Sequence, residues 1–145
     1  MDQARYQIQD VDQIISPSLV VFRETLEENL AEMVRIAGDP ARLRPHCKTH
    51  KMTQVVELQL AHGITRHKCA TFAEAEMLVA AGVDDIILAY NLVGPNMHRA
   101  VEFLRTYPQV KFAATADHEG PIQQLGQVMQ EAGLTIDLLL DIDTG

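Results

Sequence analysis

Apolar positions along this chain recur with two different periods. Phe22, Leu26, Leu30, Met33 and Ile36 fall at helical spacing, and Glu24, Glu27, Glu28 and Glu32 oppose them, which predicts an amphipathic helix. Gly38 and Pro40 end it. Ser16 to Phe22, just before, reads as a brief extended segment. From Leu43 onward a short apolar run precedes an amphipathic stretch at intervals of roughly 20 to 30 residues, the sign of successive βα units. The predicted strands are Leu43 to Lys48, Arg66 to Ala70, Asp85 to Tyr90, Val110 to Ala116 and Ile136 to Ile142. The helices between them are Thr53 to His62, Ala73 to Ala81, Met97 to Thr106 and Pro121 to Ala132. Gly63, Gly82 and Gly133 stand where left-handed helix ends are expected, and Thr71-Phe72-Ala73-Glu74 matches a capping box.

Five strands with four intervening helices define an α/β chain. They suit either the opening of an eight-stranded (β/α) barrel or a five-stranded doubly wound sheet, and the pattern alone does not choose. Residues 1–15 are a polar lead-in, and residues 16–145 carry the single predicted domain. At 145 residues, 47% hydrophobic and 22% charged, the chain has material for one core. A formal charge of -8 without a long basic run leaves no electrostatic footprint for nucleic acid or an anionic membrane. No apolar run is long enough to cross a bilayer, and the first residues contain no apolar signal region. Cys47 and Cys69 do not make a disulfide framework. The expected location is cytoplasmic.

The candidate chemistry gathers in residues 44–51, Arg-Pro-His-Cys-Lys-Thr-His-Lys. On a pleated strand Arg44, His46 and Lys48 would share one face, with Lys51 just beyond. Cationic neighbours and desolvation disfavour an ammonium ion, so a lysine so placed suits work as a neutral amine that condenses with an aldehyde. Pro45 cannot donate to a ladder and marks the start of the strand or a local irregularity. Arg44, deeper in the sheet, is expected to pair with Asp141 or Asp143. His46, Cys47, His50, His67 and Cys69 are residue types that bind zinc. However, strand alternation puts Cys47 opposite His46, and His67 and Cys69 belong to the next strand, so no metal ligand is assigned. Thr71 and Asn91 follow their strands, where a barrel keeps its active-site loops. Thr71 is equally a helix cap, and Asn91 a turn residue.

The stretch from Arg44 to Lys51 resembles the cofactor-lysine segment of the D-threonine aldolase and D-serine dehydratase family, relatives of alanine racemase that share its N-terminal barrel domain. The likeness continues through Cys69-Ala70-Thr71 with Glu74-Ala75-Glu76. It extends through Gly82-Val83-Asp84-Asp85-Ile86 with Ala89-Tyr90-Asn91, and into Leu140-Asp141-Ile142-Asp143-Thr144-Gly145. What the resemblance implies is a (β/α) barrel, with Lys48 holding pyridoxal 5'-phosphate as a Schiff base. Lys51 is the competing lysine; His46, Thr71 and Asn91 are candidate residues beside the cofactor. The family's phosphate-binding loops follow later strands. Its divalent metal, manganese or zinc, is held in a C-terminal part that has no counterpart here.

Family members are longer, so the resemblance also implies an N-terminal piece that stops after the fifth barrel strand. Such a piece would leave two sheet edges open, be marginally stable and be inert by itself. The implied activity of the parent is that of a lyase on small D-β-hydroxy amino acids, as an aldolase or a dehydratase, with a homodimer as its assembly. The alternative is a non-enzymatic protein of pyridoxal phosphate homeostasis from the same barrel superfamily.

Overall fold

Alternating burial along the strands sets the architecture. In the computed structural model, which describes residues 6–145, four parallel strands form one sheet in sequence order. These are β1 (Arg66–Cys69), β2 (Asp85–Asn91), β3 (Lys111–Ala116) and β4 (Asp137–Leu140). Residues 1–5 of the expected lead-in lie outside the described residues. Helix α1 (Arg23–Ala37) and helix α2 (Thr53–Ala61) precede the sheet. Helices α3 (Phe72–Ala80), α4 (Pro95–Thr106) and α5 (Glu119–Ala132) connect its strands.

Strand β4 is exposed throughout, whereas along β1, β3 and the first part of β2 every second residue is buried: His67 and Cys69 on β1, Ile86 and Leu88 on β2, Phe112, Ala114 and Ala116 on β3. Most of these meet the apolar faces of the three connecting helices. Phe72, Ala75 and Leu78 come from α3, Ala100 and Phe103 from α4, Leu125 and Met129 from α5. The rings of Phe103 and Phe112 lie 4.5 Å apart, within the range for favourable aromatic packing. Lys68, Ile87, Ala113 and Thr115 point the other way and stay half-exposed. A doubly wound sheet reverses its strand order at a switch point and carries helices on both faces. Sequential order with one covered face is the arrangement of a barrel wall, so the structure decides the alternative that the pattern left open.

The first expected strand is the main correction. Leu43 to Lys48 does not form one: only His46 bridges β1, in parallel with Lys68, while the Lys68 N–H donates to the Pro45 carbonyl at 2.9 Å. Pro45 has no N–H to extend the ladder, and Cys47–Thr49 at once wind into a 3-10 turn. Ser16 to Phe22 likewise pairs with no strand. The capping box is present in altered form. Thr71 Oγ1 accepts from the Glu74 N–H at 3.1 Å, but Glu74 Oε2 reaches past the cap to the Ala70 N–H, at 2.7 Å.

Candidate functional site

The barrel-wall geometry brings residues 46–52 to the carboxyl side of β1, where they fold on themselves. The Lys48 N–H donates to His46 Nδ1 at 3.2 Å, and the Thr49 hydroxyl donates to the His46 carbonyl. The Lys51 N–H donates to the Cys47 carbonyl at 2.8 Å, and the Met52 N–H to His50 Nδ1 at 3.1 Å. Closing this turn puts Lys51 at φ 50°, a left-handed conformation that costs a non-glycine residue about 1 to 2 kcal/mol. Lys48 is exposed, and Cys47 is buried beneath it. Lys48 therefore leaves the strand after His46, and the shared pleated face expected for the two does not form.

Accepting at Nδ1 places the His46 ring proton on Nε2. Burial first, then the positive charges of Lys48 and Lys68, lowers its pKa against the opposing pull of Glu74 and a backbone group of Lys68, so the ring is neutral at pH 7. The expected crowding of cations is partly neutralised. The Lys51 ammonium lies 3.0 Å from Oε1 of Glu74, and Arg44 Nη1 lies 2.7 Å from Oδ1 of Asp85. Asp85, not Asp141 or Asp143, is the partner of Arg44. Arg66 approaches the other Asp85 oxygen at 3.7 Å. Asp141 and Asp143 are exposed, with Asp143 accepting from the Gly145 N–H.

Glu74 is the carboxylate that sequence reasoning read only as part of a motif. It rises from the first turn of α3 and its side chain is 5% exposed. Burial pushes its pKa up, but the Ala70 N–H, the Lys51 ammonium and His46 outweigh that and hold it below the usual range. Cys47 Sγ lies 3.9 Å from Oε2 of the same group, and burial followed by the Glu74 charge pushes the Cys47 thiol up to about 11. Because the 3-10 turn cancels strand alternation, the ligand atoms of His46, Cys47 and Glu74 all lie within 4.8 Å of one another, contrary to the expectation that Cys47 faces away. The hydrogen bond from Ala70 and the ion pair with Lys51 already give the carboxylate a use in this grouping. Of the other three expected metal candidates, His67 and Cys69 are core residues: His67 bonds to Gln59, and the Cys69 thiol donates to the Ile87 carbonyl. His50 accepts the Met52 N–H and lies outside the grouping.

Thr71 and Asn91 come together in a neighbouring cavity of about 210 Å³ between the N-termini of α3 and α4, which Tyr90 and Arg99 also line. His46 and Lys48 do not line it. Thr71 Oγ1 serves as the α3 cap, leaving its hydroxyl proton free to donate. Asn91 Nδ2 donates to Asp117 Oδ1 at 2.5 Å. Lys68 is a second residue the sequence reading passed over. Its register with His46 puts it on the open face of the sheet. Alternation within Arg66 to Cys69, opposite to His67 and Cys69, was the signal for it.

A parallel barrel wall in sequential strand order, with a lysine-bearing turn at the carboxyl side of its first full strand, defines the N-terminal part of a (β/α) barrel. Within that class the chain belongs to the alanine racemase N-terminal domain family, whose model matches residues 21–145. It is 35% identical over 132 residues to a D-threonine aldolase of Arthrobacter sp., covering 90% of this chain and 34% of that protein. It is 29% identical over 130 residues to the D-threo-3-hydroxyaspartate dehydratase of Delftia sp. (strain HT23), covering 89% and 34%. The crystal structure of D-threonine aldolase from Filomicrobium marinum superposes with a TM-score of 0.79 at 29% identity, over 93% of this chain and 36% of that one. The chain thus spans about a third of the length of these relatives. Among the described residues, no helix is long and apolar enough to cross a membrane.

Proposed function

We propose that this chain supplies the cofactor-lysine part of a pyridoxal-phosphate lyase acting on D-β-hydroxy amino acids, as an aldolase or a dehydratase. In this reading residues 16–145 are the opening of a larger barrel, and Lys48 is the attachment residue. One observation carries the choice of lysine. Lys51 is committed to Glu74, whereas the exposed Lys48 makes no ion pair among the described residues. A primary amine presented to solvent from a braced turn fits a cofactor that is an aldehyde. Two relatives named for reactions of D-β-hydroxy amino acids support the substrate class. The free buried thiols of Cys47 and Cys69 suit a reducing, cytoplasmic setting.

Pyridoxal phosphate, when bound, supplies an electron sink for the bonds to the substrate Cα. The chain's own contribution is to hold and orient it. His46, neutral with its proton on Nε2, can donate a hydrogen bond beside Lys48 without adding charge. The Thr71 hydroxyl and the Asn91 amide offer further donors one cavity away. Arg44, locked to Asp85, anchors the segment that leads into the turn. The manganese or zinc that the resemblance implies is assigned to no residue of this chain, and the homodimer remains part of the same proposal for the whole protein.

Product analysis tests the reading. The full gene product, supplied with pyridoxal phosphate and a divalent metal, is incubated with D-threonine and with D-threo-3-hydroxyaspartate. Glycine with an aldehyde marks an aldolase, and a 2-oxo acid with ammonia marks a dehydratase. Either product is expected to vanish in Lys48→Ala. Turnover of the L-enantiomers alone, or undiminished turnover in the variant, defeats the assignment.

A further inference from the structure

We propose that Glu74 is the positioning residue of the Lys48 turn, acting through Cys47 and Lys51. The inference rests on Lys48 being the attachment lysine. Among the described residues the exposed Lys48 side chain has no hydrogen bond or ion pair, so its placement depends on its neighbours. Both flanks of the turn converge on one carboxylate. Cys47 Sγ is 3.9 Å from Oε2, and the Lys51 ammonium is 3.0 Å from Oε1. Glu74 is fixed from the other side by the Ala70 N–H at 2.7 Å and by the Thr71 cap on its own N–H at 3.1 Å. The carboxylate thereby joins the start of α3 to a turn whose strand pairing, among the described residues, is limited to the His46–Lys68 bridge.

Two features show that this tether bears on conformation. Lys51 is held at φ 50°, a backbone state that a lysine leaves readily unless its surroundings hold it there. Glu74 is almost fully buried while Lys51 is 61% exposed, so the ion pair draws an outer residue down onto an inner charge. Without it, the carbonyl of Cys47 would keep the Lys51 N–H only as far as the turn closes by itself.

Amide exchange and chemical trapping on the full gene product separate this role from a general structural one. In Glu74→Gln the side chain keeps an acceptor for the Ala70 N–H but sets an amide against the Lys51 ammonium. Glu76→Gln, an exposed change on the same helix near Arg99, is the control. Exchange of the amides of residues 48–51, measured without cofactor, is expected to quicken about tenfold in Glu74→Gln, the scale of losing an ion pair whose carboxylate is buried. Residues 70–75 should stay protected. Lys51→Met should reproduce the effect, which covers the case in which Glu74→Gln folds poorly. Trapping of pyridoxal phosphate on Lys48 by borohydride should slow by a similar factor in both variants. Unchanged exchange in the turn, or equal loosening of residues 70–75, overturns the proposal. If the unaltered protein is trapped on a different lysine, the attachment reading fails, while the exchange result still reports on the tether.

Discussion

Arg44 Nη1 stands 2.7 Å from Asp85 Oδ1 and also donates to the carbonyls of His67 and Asp85, each at 3.3 Å. A side chain thus supplies the attachment to β1 and β2 that the missing strand ladder does not. Both charged groups are about one quarter exposed, between the surface and buried limits for ion pairs. Asp85→Ala is therefore expected to lower stability by about 1 to 3 kcal/mol and to release the amides of Leu43 and Lys68, which donate to the Pro40 and Pro45 carbonyls. Denaturant unfolding and amide exchange check this, and a variant as stable as the parent with those amides protected contradicts it.

Thr71 has one established bond, as the acceptor for the Glu74 N–H. Thr71→Ala is expected to cost about 1 kcal/mol, the usual loss of a helix cap, and Thr71→Ser only a few tenths. Urea midpoints compare the two. Equal losses would mean that the threonine methyl matters more than the hydroxyl.

His67 gives a dependence on pH. Its side chain is completely buried, and Nε2–H donates to Gln59 Oε1 at 3.0 Å. Burial foremost, then the charges of His50 and Arg44, pushes its pKa down from 6.5 to about 4, against a backbone bond at Thr65. The unfolded chain takes up a proton near 6.5 and the folded one near 4, so the unfolded state binds more protons throughout that window. Stability is expected to fall as pH drops across it, by on the order of 3 kcal/mol from this group. Urea unfolding from pH 7 to pH 4 measures the slope, which His67→Gln should flatten.

The two thiols should be silent in the folded protein. Cys47 is pushed up to about 11 by burial and the Glu74 charge. Cys69 is pushed higher still, by burial and then by Cys47 and Glu74. Both are buried, and the thiolate is the reactive form. Neutral thiol reagents are expected to label them only as fast as the chain opens, with rates that rise with urea. Rapid labelling of either at pH 7 without denaturant contradicts this packing.

Much of the fold was legible because burial and sequence period agree. β1, β3 and β4 fall inside the predicted runs, β2 runs one residue past its own to include Asn91, and α2 to α5 begin and end within a few residues of expectation. Gly38 and Gly133 end their helices in left-handed geometry. The Leu43 to Lys48 run misled because alternation cannot register that Pro45 interrupts the ladder and that Cys47 to Thr49 turn. That error carried into the site, where it placed Lys48 on the face of His46 and sent Cys47 away from it. Arg44 was rightly given a carboxylate, but the choice of Asp85 depends on register across two strands, which no local pattern contains. Glu74 was visible as a capping residue, whereas its hold on Lys51 exists only once α3 packs beside the turn.

The central claim is that Lys48 is the amine that captures the cofactor aldehyde. Borohydride reduction of the full gene product with pyridoxal phosphate, followed by peptide mapping, tests it most directly. The expected result is one stable adduct on Lys48, with Lys51 and Lys68 unmodified. An adduct on Lys51 or Lys68 with Lys48 intact contradicts the account.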